Sequence, residues 1–441
     1  VNGSLRLPAA PDLAALHSAA PEQWPFLLES TTRGGTLGRW SLLLHAAEAS
    51  APLLAGPGDA ARFLDHLDQA WQSEQAQQPG QLPFEGGWFV YLGYELAAGI
   101  ESRLDLPPAD DGLPVALARR CDAAVLIDHH DNESWLVAET SSVLQAAAEF
   151  VADSMAGKHA RTVEAIPIEL LAEDGDRFKR GVERIRDYIL AGDVFQVNLS
   201  RAWSGIASTP LDPVAIHRRL SAANPAPFAG LARLPGGTLL SSSPERLVAV
   251  RDGMAEVRPI AGTRPRGSSA AQDRALSEEL LGHPKERAEH IMLIDLERND
   301  LGRICVPGTV RVDELMTIES YAHVHHIVSN VVGRLVPDSS PGDIIRAVFP
   351  GGTITGCPKV RCMEIIAELE QRGRSFYTGA MGYLGLDGRI DLNILIRSML
   401  VQHNTIRFRT GAGIVADSEP AAELAETEAK ARGLARALDA L

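Results

Sequence analysis

No apolar run in the 441-residue chain approaches the ~18 residues that a membrane-spanning helix requires. Positive charge is also in short supply: 42 Lys and Arg stand against 57 Asp and Glu, a net charge of −15. A nucleic acid or anionic membrane therefore finds no electrostatic footprint. Cysteine is scarce, and Cys121, Cys305, Cys357 and Cys362 form neither a CxxC pair nor a zinc spacing. That predicts free thiols in a reducing compartment, not a disulfide framework. The opening residues, VNGSLRLPAAP, lack the charged-then-apolar pattern of a secretory signal, so the expectation is a cytoplasmic protein. What the chain does have is core: 45% of its residues are hydrophobic, which excludes overall disorder. Its acidity sets a puzzle, because an anionic substrate would need a local island of positive charge.

Strand-like pieces such as GGWFVYLGYEL (86–96), AAVLID (123–128), GTLLSSSPERLVAV (237–250), HHIVSNVVGRL (325–335) and DLNILIRSMLVQ (391–402) are rich in β-branched and aromatic residues. Between them lie helical patterns. DRFKRGVERIRDYILAGD (176–193) places Phe178, Val182, Ile185 and Ile189 on one face and closes at Gly192. Strands and helices mix without a regular βαβ beat or a repeat period, so the expected fold is α+β, a large sheet core flanked by helices. A polar, Pro-containing segment at 153–170 divides the chain into an N-terminal companion region, 1–165, and a larger region, 170–441, intertwined with it. DHHDNE (128–133) reads as a turn between strands.

Nucleotide motifs are missing too. GAGIVA (411–416) matches GxGxxA, but no helix opens at the loop. FPGGTITGCPK (349–359) lacks a lysine directly after its second glycine, and Pro358 removes a backbone donor. Such loops still expose N–H groups that can hold a carboxylate. Acids are more suggestive. Glu286 and Glu289 share one helical face, and Glu423, Glu426 and Lys430 share another. Either set is compatible with a salt-bridged helix surface; together they could converge on a hard cation such as Mg²⁺. PIAGTRPRG (259–267) sets prolines on either side of a small-residue turn, Ala261-Gly262-Thr263.

The segments KERAEHIMLIDLERNDLGRI, VHHIVSNVVGRL, FPGGTITGCPKVRCMEIIAELE, TGAMGYLG, ILIRSM and GAGIVADSEPAAELAETEAKA, in this order, closely resemble the chorismate-utilising enzymes. That family includes anthranilate synthase component I, aminodeoxychorismate synthase component I, and the isochorismate and salicylate synthases. The resemblance is dense over 176–441 and looser before it. It implies a Mg²⁺-dependent enzyme acting on chorismate, with Glu286, Glu289, Glu423 and Glu426 as metal carboxylates. Arg397 and Tyr383 would grip the enolpyruvyl carboxylate; Gly262, the Gly411-Ala412-Gly413 loop and Lys430 would make further substrate contacts. Glu245 takes the place of the general acid for the departing C4 hydroxyl, and His326 that of the histidine near the ring, with Ala261 and Thr263 beside them. A zinc set of His323, His325 and His326 conflicts with strand alternation, which turns His326 away from the other two.

Gln196 stands where water-adding members carry a lysine; an amide cannot activate water, so ammonia is the expected nucleophile. QVNL (196–199), NPAPF (224–228) and PGGTITG (350–356) resemble the aminodeoxychorismate members, whereas Ala261 in PIAGT matches the anthranilate members. Weighing the three motifs above the one gives an expectation of C4 amination, through noncovalent 2-amino-2-deoxyisochorismate, toward p-aminobenzoate and folate. The alternative is anthranilate formation. PFLLES (25–30) resembles a tryptophan-site motif, making Glu29, Ser30, Pro227 and Phe228 a possible tryptophan site. A non-catalytic tryptophan sensor is the remote alternative. No cysteine sits in a glutaminase nucleophile setting, so the expected partner is a glutamine amidotransferase.

Overall fold

The computed structural model describes residues 3–32, 37–48, 50–76, 80–157, 168–321 and 324–438. The fold is α+β. Among the described residues, 21 strands join through antiparallel pairings into one continuous sheet, with helices packed on its faces. Strands from the two ends of the chain alternate within it. Phe26–Glu29 pairs with Phe228–Leu234, and Gly87–Leu92 with Ala380–Gly385. Of the connection expected at 153–170, residues 158–167 lie outside the described residues.

Local sequence explains the elements that carry the site. The amphipathic helix is observed as Gly175–Leu190, burying Phe178, Val182 and Ile185, and Gly192 follows at φ +84°. The DHHDNE turn forms, with the Asp128 carboxylate accepting from Arg39 and from the His130 amide. Helix Pro284–Gly302 starts on a proline, whose missing N–H is no loss at the first turn, and it buries His290, Leu293, Glu297 and Asp300 along one face. All four cysteines are free thiols; the buried Cys362 Sγ donates to the Gln196 carbonyl at 3.1 Å, a packing role. No helix among the described residues is long and apolar enough to cross a membrane.

Two of the long strand patterns are broken, and the breaks matter. GTLLSSSPERLVAV divides into Gly237–Ser243 and Arg246–Arg251, and DLNILIRSMLVQ into Ile390–Ile394 and Ser398–Gln402. The halves pair across, Ser241 with Ser398 and Arg246 with Asn393. Both interruptions therefore fall on one crease. Glu245 stands at one and Arg397 at the other.

Candidate active site

At the crease, backbone bonds fix both residues. The Ile394 amide donates to the Glu245 carbonyl at 3.0 Å, and the Ser242 amide to the Arg397 carbonyl at 3.1 Å. Burial raises the Glu245 carboxyl to about 7, against the opposing pull of Thr353, the Ile260 amide, Arg397 and Lys430. Glu245 is thus an acid that can hold and give a proton near neutrality. Arg397 adopts a left-handed backbone, φ +50°, uncommon for a residue with a Cβ. Its guanidinium has no hydrogen bond or ion pair among the described residues. Burial lowers its pKa, while Glu245 and Tyr321 oppose the shift. An unpaired, confined guanidinium suits a planar carboxylate.

The PIAGT stretch is not the turn its composition suggests. Ile260–Pro265 is a strand paired with Val324–Arg334, and its register slips between Ala261 and Thr263. Gly262 is the extra residue of this bulge, at φ +65°; a Cβ there would lie 2.8 Å from Glu286 Oε2. The bulge sets Thr263 opposite His326, with Oγ1 3.0 Å from Nδ1. Nδ1 also lies 3.3 Å from the Gly262 carbonyl. A carbonyl only accepts, so Nδ1 carries the hydrogen and Nε2 keeps its lone pair. Nε2 is buried and has no hydrogen-bond partner among the described residues. Burial and then Arg397 push the imidazole down to about 3, so it is neutral at ordinary pH. His325 turns the other way, to Ser320 at 2.8 Å and Asp273 at 2.9 Å, while His323 lies outside the described residues.

Opposite lies a wall of small residues. Strand Thr405–Ile414 pairs with Gln196–Ile206, setting Gly411 against Ser200, Ala412 against Leu199 and Gly413 against Asn198. No helix opens at GAGIVA, so a dinucleotide reading has no support. A Cβ on Gly413 would come 2.4 Å from Gln196 Nε2, and one on Gly411 2.7 Å from the Tyr377 hydroxyl. Lys430 Nζ donates to the Gly411 carbonyl at 2.8 Å and pairs with Glu426 at 2.8 Å. Gln196 Oε1 and Asn198 Oδ1 are buried acceptors without partners among the described residues.

Tyr383 requires a correction. Its strand register places it between Phe89 and Asp391, edge-on to Phe84 at 5.6 Å, and the charges it feels are Asp391, Arg251, Arg246 and Arg389. It lines a different cavity, of about 360 Å³, together with Glu29, Pro227, Phe228 and Met381. Ser30 sits beside Glu29 with its amide donating to Ser41 Oγ at 3.0 Å. The tyrosine at the glycine wall is Tyr377. Both tyrosines lie in SFYTGAMGYLG, and only the register separates them.

The four acids of the two helices interact. Burial raises the Glu289 carboxyl, and Glu286, Glu423 and Glu426 raise it further while Lys285 opposes. Glu423 is raised by burial and by Glu426, against Ser418, Lys430 and Lys285. Among the described residues no three acidic, histidine or cysteine groups stand in a ligating arrangement. Instead Arg264 holds Glu286 at 3.1 Å and Lys430 holds Glu426. A Glu289 carboxyl whose proton affinity is raised by acids from both helices fits a divalent cation, which would relieve that repulsion.

A family model described as chorismate binding enzyme matches residues 25–436. The chain belongs to the chorismate-binding enzymes. It is 43% identical to an anthranilate synthase component I-like protein of Synechocystis, covering 92% of this chain and 84% of that one. It is 41% identical to aminodeoxychorismate synthase component 1 of Bacillus subtilis, covering 81% and 77%. The crystal structure of anthranilate synthase component I from Streptococcus pneumoniae superposes with a TM-score of 0.81 at 30% identity, covering 91% and 93%. Further relatives at 35–40% identity are named anthranilate synthase component 1.

This predominance overturns the expectation of an aminodeoxychorismate synthase in p-aminobenzoate and folate synthesis. Geometry explains one of the misleading motifs. Pro227 and Phe228 of NPAPF line the cavity of Glu29 and Tyr383, so they carry no information about which ring carbon is aminated. Ala261 is in the strand that also carries Thr263, the partner of His326.

Proposed function

We propose that this chorismate-binding enzyme is an anthranilate synthase component I: it adds ammonia to C2 of chorismate and then eliminates pyruvate. What supports this reading is the predominance of anthranilate synthase component 1 among the relatives, together with Ala261, which puts no amine in the strand beside His326 to occupy C2 ahead of ammonia. Arg397, Lys430 and the N–H groups of the glycine wall would hold the two substrate carboxylates, answering the charge puzzle locally. Tyr377 would close that wall. Ammonia would attack C2 as both ring double bonds shift and the C4–O bond breaks, with Glu245 protonating the oxygen so that it leaves as water. His326 Nε2 would then take the C2 proton while the C3–O bond breaks. The departing enolpyruvate gains a proton to become pyruvate, and the ring becomes aromatic. Glu286, Glu289, Glu423 and Glu426 would hold Mg²⁺, whose charge would neutralise a substrate carboxylate and polarise the ring. A glutamine amidotransferase would supply the ammonia in the cell.

The test is product identity from chorismate, Mg²⁺ and ammonium. Fluorescent anthranilate with one pyruvate per turnover is expected; a non-aromatic amine that keeps its enolpyruvyl group overturns the reading.

We further infer that the second cavity binds a free aromatic amino acid. Glu29 suits its ammonium group, Phe228 and Tyr383 its ring. Tryptophan should inhibit turnover, and Glu29→Ala should weaken that inhibition by about tenfold or more, a loss of ~1.4 kcal/mol. An absence of any tryptophan binding heat in the unmutated protein would refute the assignment.

A further inference from the structure

A second buried acid lies behind Glu245, and the reaction as written does not use it. Helix Pro284–Gly302 carries Glu297, 6% exposed, and Asp300, 2% exposed, one turn apart. The FPGGTITG loop lies between this helix and the crease: a Cβ on Gly351 would stand 2.8 Å from Ile394, whose amide bonds the Glu245 carbonyl, and the Thr353 hydroxyl is buried without a hydrogen-bond partner among the described residues. A Cβ on Gly352 would stand 2.3 Å from Leu296 Cδ2 and 3.2 Å from Glu297 Oε1, so the glycine permits the close approach of the loop to this helix. On its far side Glu297 meets Asp300, which is paired with Lys359 Nζ at 2.6 Å. Asp300 and Lys359 line an open groove of about 710 Å³, together with Cys357 and Phe195. A line of ionisable groups thus runs from this groove, through Asp300–Lys359 and Glu297, to the general acid.

We propose that Glu297 is the proton reservoir of Glu245, refilled from the groove through Asp300 and Lys359. When Glu245 gives its proton to the C4 oxygen, it becomes a buried carboxylate that must recover a proton before the next turnover. The Glu297 carboxyl donates its proton to Glu245 and takes one from the groove side; the balancing proton leaves the substrate nitrogen as ammonium becomes amine. Burial, then Asp300, then Glu245 raise the Glu297 proton affinity, while Lys359 and the Gly352 amide oppose. Asp300 is itself raised by burial and lowered by Lys359 and Arg303. Cys357, on the same groove, is raised by burial and then by the Asp300 carboxylate. Glu297 is a positioning residue in this scheme, since it acts through Glu245.

The inference rests on the proposed amination chemistry, and its test separates the two. Wild-type protein is first assayed for anthranilate, which tests the chemistry alone. The pH profile of kcat is then recorded at constant free ammonia. Glu297→Gln keeps an acceptor for the Gly352 amide but removes the stored proton, so the alkaline limb then follows Glu245 alone. Its alkaline limb should move down by about one pH unit, with kcat at pH 8 falling about tenfold and chorismate KM unchanged. Lys359→Met removes the opposing cation and should move the limb up. Glu297→Asp should restore most of the wild-type limb. A uniform loss of kcat at every pH, or a limb that stays in place in both Glu297→Gln and Lys359→Met, overturns the reservoir even if anthranilate is formed.

Discussion

Glu245→Gln should lower kcat by about 10²–10⁴ while chorismate KM stays within a few-fold, because an amide fills the same space but cannot give a proton to a departing hydroxyl. Hydroxide is a poor leaving group, so the loss belongs to the step that breaks the C4–O bond. The same residue sets the pH dependence. Burial raises its carboxyl to about 7, and the active form is the protonated one. Activity should therefore be full below neutrality and fall as pH rises through about 7, provided free ammonia is held constant. His326 contributes no second limb in this range, since it is already neutral above about 3. A kcat that rises through pH 7 at constant ammonia, or Glu245→Gln with near-normal turnover, would remove Glu245 from the role of acid.

Much of this site was legible in the sequence because it depends on local spacing. Glu286 with Glu289 and Glu423 with Glu426 share helix faces by periodicity alone, and the electrostatic contact between the two helices follows from the fold. The α+β class was readable from composition and the lack of a βαβ beat. Three features were not. The Gly262 bulge resembles a turn in sequence, because proline and small residues favour both; only pairing with Val324–Arg334 separates them. Tyr383 and Tyr377 are six residues apart in one motif, and which of them faces the glycine wall is decided by partner strands from distant parts of the chain. The crease bearing Glu245 and Arg397 reads as continuous strand in both segments, since a change of strand register leaves little mark on hydrophobic pattern. One regiochemical motif, NPAPF, misled for a related reason: resemblance along the chain does not reveal which cavity a motif lines.

His326→Asn should separate the two halves of the reaction. An asparagine amide can replace Nδ1–H as donor to Thr263 and the Gly262 carbonyl, but it offers nothing in place of the bare Nε2. Amination at C2 needs no base, because ammonia attacks as the free amine. Elimination of pyruvate does need one, because the C2 proton must leave as the C3–O bond breaks. Anthranilate formation should therefore fall by about 10²–10⁴, whereas chorismate consumption should fall by no more than about tenfold. A non-aromatic amine with the mass of 2-amino-2-deoxyisochorismate should build up in solution, detectable by mass spectrometry before any fluorescence appears. The variant should not melt at a lower temperature on polar grounds, since it removes a buried nitrogen that has no partner among the described residues. If chorismate consumption and anthranilate formation fall together, His326 acts before or during amination, and the proton acceptor for the second step must be another group at the glycine wall.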